Sequence, residues 1–179
     1  MTDHAMPWPE IEVPGNHADA LSAWLHADRA IEIVKTEMTA RMEAQAGCTM
    51  LEHHALYRLA TATDRRLSML GLAEGLATSP SGATRVVERL VKRGWVVREQ
   101  PPENRRQTDA VLTPDGYRAL VEQTRPAYHG ALTECFSSML TSHDLDELRR
   151  IGRKLLEGHD RYLQQWLDVR FDQKDWAAD

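Results

Sequence analysis

One stretch, residues 79–113, restricts the fold more than any other. Ser79-Pro80 is an N-cap followed by proline at the first helical position, where its missing N–H costs nothing. Beyond it Ala83, Val86, Val87, Leu90 and Val91 share one helical face, with Arg85, Glu88, Arg89, Lys92 and Arg93 around the other sides. Gly94 stops the pattern. The period then changes. Trp95-Val96-Val97 and Ala110-Val111-Leu112 are β-prone segments flanking a polar run that holds Pro101, Pro102 and Asn104. This predicts a two-stranded hairpin with a charged tip. A short amphipathic helix delivered into such a hairpin leaves few architectures open.

The flanks are helical. Between Ala18 and Ala46 there is neither Gly nor Pro, and Leu21, Trp24, Leu25, Ile31, Val34, Met38 and Met42 recur at helical spacing up to Gly47. Thr49-Met-Leu-Glu52 is a capping box opening a helix through Leu51, Ala55, Leu56 and Leu59. Thr61 to Arg66 reads as a polar break, after which Ser68 caps a short helix through Leu70, Leu72, Ala73 and Leu76. Downstream of the hairpin, Thr113-Pro114 repeats the cap-plus-proline signal and starts a long helix that Pro126 should kink. Thr141 to Asp144 is a second cap, and Leu145, Leu148, Ile151, Leu155 and Leu156 continue at helical spacing.

The expected fold class is therefore mainly α with a small β-hairpin wing, an α+β winged helix-turn-helix core between long helices. The divisions are an irregular arm at 1–16, long helices at 17–47 and 114–171, the winged domain at 49–113, and a polar, flexible tail at 172–179. At about 150 residues per domain, 179 residues suit one domain with extensions. Hydrophobic content of 42% beside 27% charge is globular composition.

The same sequence argues against other classes. No apolar run reaches membrane-spanning length, and residues 1–10 lack the apolar stretch of a signal peptide. The two cysteines, Cys48 and Cys135, form neither a disulfide framework nor a CxxC site, so a reducing cytoplasm is the expected compartment. No phosphate loop, HExxH or GxSxG motif is present. The reading is not an enzyme, with no cofactor and no metal. His53-His54 offers no metal pair, because adjacent helical side chains diverge by about 100°.

Charge points to a partner. The chain carries a formal −5, yet residues 81–106 hold seven basic side chains against three acidic ones, a local +4. A basic island on an acidic chain, centred on a groove-sized helix and a wing, is the electrostatic footprint of double-stranded DNA binding. Ser81, Gly82 and Thr84 are small or hydroxylic and let the helix start approach base edges, and Arg85 can read guanine bidentately. Arg89, Lys92, Arg93 and Arg98 are the expected phosphate contacts. The alternative is a helical protein-interaction module that keeps the winged domain as scaffold.

At these residues the chain resembles a known family. Leu72 to Ala77, Ser81 to Gly94, Glu103-Asn-Arg-Arg106 and Val111-Leu-Thr-Pro-Asp-Gly116 together look like the MarR family of bacterial transcriptional regulators. The resemblance runs from about Met50 to Gly158. It implies a homodimer whose N- and C-terminal helices interlock for dimerisation and whose winged domains reach a pseudo-palindromic operator, more often as repressor than activator. It implies that Arg106 of the wing enters the minor groove, with Arg105 on the backbone. The family usually has Asp two residues before that arginine, where this chain has Asn104, a weaker anchor for the wing. It further implies a crevice for a small-molecule effector, often an aromatic acid. By placement, Trp24, His26, His53, His54 and Tyr57 are candidate lining residues, with Arg29 or Arg66 for an anion.

Overall fold

The computed structural model describes residues 17–101, 104 and 107–162. The irregular arm, the tail, and Arg105 and Arg106 of the wing lie outside the described residues. The chain divides between Thr36 and Glu37 into two compact units.

The described part of the first unit is the N-terminal portion of α1 (His17–Ala46). Its apolar side chains Leu21, Trp24, Leu25, Ile31 and Ile33 are exposed, Trp24 at 63%. The helical spacing is as expected, but among the described residues these five apolar side chains are left exposed.

The second unit holds the rest of the architecture. Met38 and Met42 of α1 are buried, and α2 (Met50–Thr61) follows through the expected capping box, with Thr49 Oγ1 accepting from Glu52 N. A tight turn at Thr63–Arg65 leads into β1 (Arg66–Ser68), then α3 (Met69–Gly75) and α4 (Pro80–Lys92). Ser68 and Ser79 cap the last two, each accepting from the backbone N–H three residues on. Next come β2 (Val96–Glu99) and β3 (Asp109–Leu112). The strands form an antiparallel sheet in the order β1-β3-β2, with Arg66 opposite Val111 and Val97 opposite Val111 on the other side. The hairpin expected from sequence is thus two-thirds of a three-stranded sheet. The third strand lies at the edge of what reads locally as a polar break.

Leu56, Leu59, Leu72, Val86, Val87, Leu90, Val96 and Leu112 fill the core, so α2, α3, α4 and the sheet share one apolar centre. Where the sheet meets the next helix, the fit is closest at Gly116. A Cβ there would stand 2.0 Å from the carbonyl oxygen of Trp95, so only glycine fits.

After Thr113 the chain runs through α5 (Pro114–Ala119), a π-helical segment at Leu120–Thr124, and α6 (Arg125–Cys135). The interruption expected at Pro126 is this wide turn. Proline lacks the N–H that would bond a carbonyl in the preceding turn, and the π-segment lies directly before it. Cys135 is buried and accepts from Arg41 Nε at 3.1 Å, while Arg41 Nη1 meets Glu134 at 2.7 Å, tying α1 to α6. Last is α7 (Ser142–Gly158), opened by the Thr141–Asp144 capping box; it buries none of its residues, and Leu148, Ile151 and Leu155 stand exposed.

Candidate nucleic-acid interface

The candidate site grows from the start of α4. Ser79 Oγ accepts from Gly82 N at 3.1 Å and lies 3.0 Å from Ser81 Oγ, and Thr84 Oγ1 donates back to Pro80 O at 2.9 Å. A Cβ on Gly82 would sit 2.5 Å from Thr78 Oγ1. The smallness of Gly82 therefore has an intramolecular cause beside any approach to DNA. Because Ala83, Val86, Val87 and Leu90 face the core, the 3.6-residue period turns Ser81, Arg85, Glu88, Arg89 and Lys92 outward, and all five are exposed.

The basic residues expected at the DNA surface, Arg85 as base reader and Arg89, Lys92, Arg93 and Arg98 as phosphate contacts, divide into two kinds. Arg85 and Lys92 stand on the exposed side with no carboxylate partner among the described residues. Arg89, Arg93 and Arg98 are engaged. Arg89 Nε donates to Glu52 at 2.7 Å; Arg93 donates to the carbonyl of Gly47 and lies 4.8 Å above the Trp95 ring. Arg98 of β2 donates to Thr84 O at 3.3 Å and comes within 3.8 Å of Glu88. Those bonds fasten α4 to the start of α2 on one side and to the wing on the other. Periodicity places a side chain on a face; it does not reveal a partner 37 residues away.

The wing has its own fastening. Arg66 on β1 bonds Glu99 on β2 and reaches Asp109 on β3 at 3.5 Å, while Gln107 Nε2 donates to Asp109 Oδ1 at 2.7 Å. Arg66, read from sequence as an anion ligand, here has two carboxylates of its own sheet. At the tip, Asn104 N donates to Pro101 O and Asn104 O accepts from Gln107 N, both at 3.0 Å. Arg105 and Arg106, the expected minor-groove pair, are outside the described residues.

Of the ligand candidates, Trp24, His26 and Arg29 belong to the first unit, where His26 Nδ1 lies 2.7 Å from Ser22 O. His53, His54 and Tyr57 belong to the second. His53 is 4% exposed, with Nδ1 2.9 Å from Thr124 Oγ1 and its ring stacked 4.5 Å from that of Tyr128 on α6. His54 meets the same tyrosine edge-on at 5.3 Å. Burial, helped by the nearby titratable rings of His54 and His129 and by the Arg125 guanidinium, pushes His53 down to about 3, and burial beside Arg58 takes His54 to about 4. Both are neutral at pH 7 and pack α2 onto α6. Tyr57 packs against the apolar core. An open groove of about 560 Å³ is lined instead by Gln45, Ala46, Glu122, Gln123, Pro126 and Ala127.

Burial pushes the Cys48 thiol up to about 12, assisted by the charge of Glu52, the reverse of what a reactive thiolate needs. Among the described residues, no three His, Cys, Asp or Glu side chains are grouped to hold a metal ion, and no helix is long and apolar enough to cross a membrane.

Residues 48–108 match the family model "MarR family". The transcriptional repressor MprA of Escherichia coli K12 is 33% identical over 110 residues, covering 62% of this chain. The chain spans 61% of the length of that curated relative. Among solved structures, Sco3205 of Streptomyces coelicolor, a MarR family transcriptional regulator in complex with DNA, superposes with a TM-score of 0.71 at 29% identity, covering 79% of this chain and 88% of that one. AbsC of the same organism, also a MarR family regulator, gives 0.69 at 22% identity over 79% and 95%, and supports the fold alone.

Proposed function

We propose that this chain, whose residues 48–108 match the MarR family model, is a MarR-type sequence-specific DNA-binding transcriptional regulator, acting as a repressor on a pseudo-palindromic operator. The observation that carries this is the outward side of α4. Arg85 and Lys92 project, with no carboxylate partner among the described residues, from a helix whose other side is locked into the core. A helix so held can enter a major groove, where Arg85 reads guanine and Ser81 and Thr84 contact bases or phosphates. Lys92 supplies phosphate affinity, and Arg106 reaches the minor groove.

The acting unit is a homodimer. Leu148, Ile151 and Leu155 on α7 and Leu21, Trp24, Leu25 and Ile31 on α1 are too much exposed apolar surface for a monomer to leave in water. A two-fold dimer reads two half-sites about one helical turn apart. Release of the DNA by a small aromatic or anionic ligand belongs to the same proposal. The relatives support it in kind: Sco3205 was solved with DNA, and MprA is a repressor.

Hydroxyl-radical footprinting on the DNA upstream of the protein's own reading frame tests the reading. Two protected patches related by a dyad, about 10 base pairs between centres, are expected. Uniform protection without a dyad would contradict it and favour the scaffold alternative.

A further inference from the structure

Glu52 is an unusual residue to find beside a DNA-binding helix. It is 2% exposed, and both of its oxygens are occupied: Oε2 accepts from Thr49 N at 2.7 Å and Thr49 Oγ1 at 3.0 Å, and Oε1 accepts from Arg89 Nε at 2.7 Å. Burial by itself would raise its pKa, but the bonds from Thr49 and Arg89 outweigh burial and hold the carboxyl below its ordinary value. It is a fixed negative charge at pH 7. The capping box anchors it to the first turn of α2, and it therefore has little freedom to follow Arg89; Arg89 must come to it.

Arg89 is half exposed, with 48% of its side chain open to solvent. Glu52 takes the Nε–H. Among the described residues no carboxylate meets Nη1 or Nη2. Arg89 lies four residues beyond Arg85 and three before Lys92, so the three share one side of the helix. A guanidinium is planar, so a carboxylate holding Nε fixes the direction of the outer Nη pair.

Resting on the DNA-binding reading above, we propose that Glu52 is a positioning residue for DNA binding, holding Arg89 so that its outer edge is already set to receive a phosphate. A free arginine must lose rotamer freedom on meeting a phosphate. This one has lost that freedom before the DNA arrives. The pair also explains why an acid is tolerated here: its charge is spent on orienting a cation.

The sign of one substitution decides the matter. If Glu52 acts only as a nearby negative charge, Glu52→Gln removes repulsion and strengthens DNA binding. If it positions Arg89, the same change weakens binding. Gln keeps the capping box, since glutamine serves at that position as well as glutamate, but its single carbonyl cannot accept from both Thr49 and Arg89. The full chain would be titrated into a duplex from its own upstream region and into a scrambled duplex, each over several salt concentrations. E52Q should bind both duplexes 3- to 10-fold more weakly with an unchanged salt slope. R89Q should weaken both and flatten the slope by about 0.9 per half-site, because a phosphate contact is gone. The double variant should bind no more weakly than R89Q.

Arg89→Lys is the second probe, and it leaves the capping box untouched. It keeps the charge and loses the Nε–H, so it should match E52Q, with lower affinity at constant slope. Unchanged or tighter binding by E52Q or R89K overturns the proposal, as does an unchanged slope in R89Q. Failure of the wild-type protein to bind either duplex would overturn the DNA-binding reading and this inference with it. Normal wild-type binding with an insensitive E52Q removes the inference alone.

Discussion

Arg85 and Lys92 stand on the same exposed side of α4, two turns apart, yet they answer to different tests. A base reader loses discrimination when truncated; a phosphate contact loses affinity for every sequence equally. Arg85→Ala should relax sequence preference and cost about 1–3 kcal/mol per half-site on the operator alone. Lys92→Ala should weaken all DNA alike and lower the salt slope by about one per half-site. Parallel titrations on operator and scrambled duplex check both, and an equal loss on all DNA would remove Arg85 from the base readers. His53 and His54 carry a third expectation, about stability. Their pKa values in the folded chain, about 3 and about 4, lie below the ordinary histidine value of 6.5. Between those limits the unfolded chain binds protons that the folded chain refuses, so stability falls as pH drops below about 6.5, by up to about 1.4 kcal/mol per pH unit for each histidine. Urea unfolding at pH 7 and pH 5 measures this. Equal midpoints at the two values would show that these rings are not held neutral.

Elements differ in how far local sequence determines them. Every helix start expected from a cap, at Thr49, Ser68, Ser79, Thr113 and Thr141, is present, because a cap satisfies the orphan N–H groups within three residues of itself. β1 was not legible. Its three residues, Arg66-Leu67-Ser68, look polar in isolation and become a strand only by pairing with β3. The same holds at the site. The outward placement of Arg85 and Lys92 follows from the helical period, whereas the engagement of Arg89 with Glu52, Arg93 with Gly47 and Arg98 with Thr84 depends on tertiary contacts that no local pattern encodes. Gly116 shows how tightly the sheet and α5 are joined. Gly116→Ala would drive a methyl to 2.0 Å from a backbone oxygen, which must move. The expected loss is about 1–3 kcal/mol or more. Thermal unfolding of that variant checks the join between wing and helix, and an unchanged midpoint would refute the close packing described here.

At the scale of the whole molecule, a net charge of −5 beside a locally basic segment at 81–106 would favour approach to DNA through that segment, because the rest of the chain is net acidic. The two-fold assembly proposed above would cover apolar side chains that the single chain leaves exposed. Leu148, Ile151 and Leu155 share a side of α7, with Leu155 61% exposed. Substituting Leu155→Asp should shift the protein from dimer to monomer in sedimentation and abolish tight operator binding, because one winged domain retains only one half-site's contacts. An unaltered dimer would place the interface elsewhere. Recognition of a DNA sequence by this chain is read out by a salt-resolved titration. The wild-type protein would be added to a labelled duplex from its own upstream region and, separately, to a scrambled duplex of equal length. Steep salt dependence is expected on both, at roughly −0.9 per phosphate neutralised, with an affinity for the native duplex higher by about 10³-fold or more. Equal affinity for the two, or binding indifferent to salt, would contradict it.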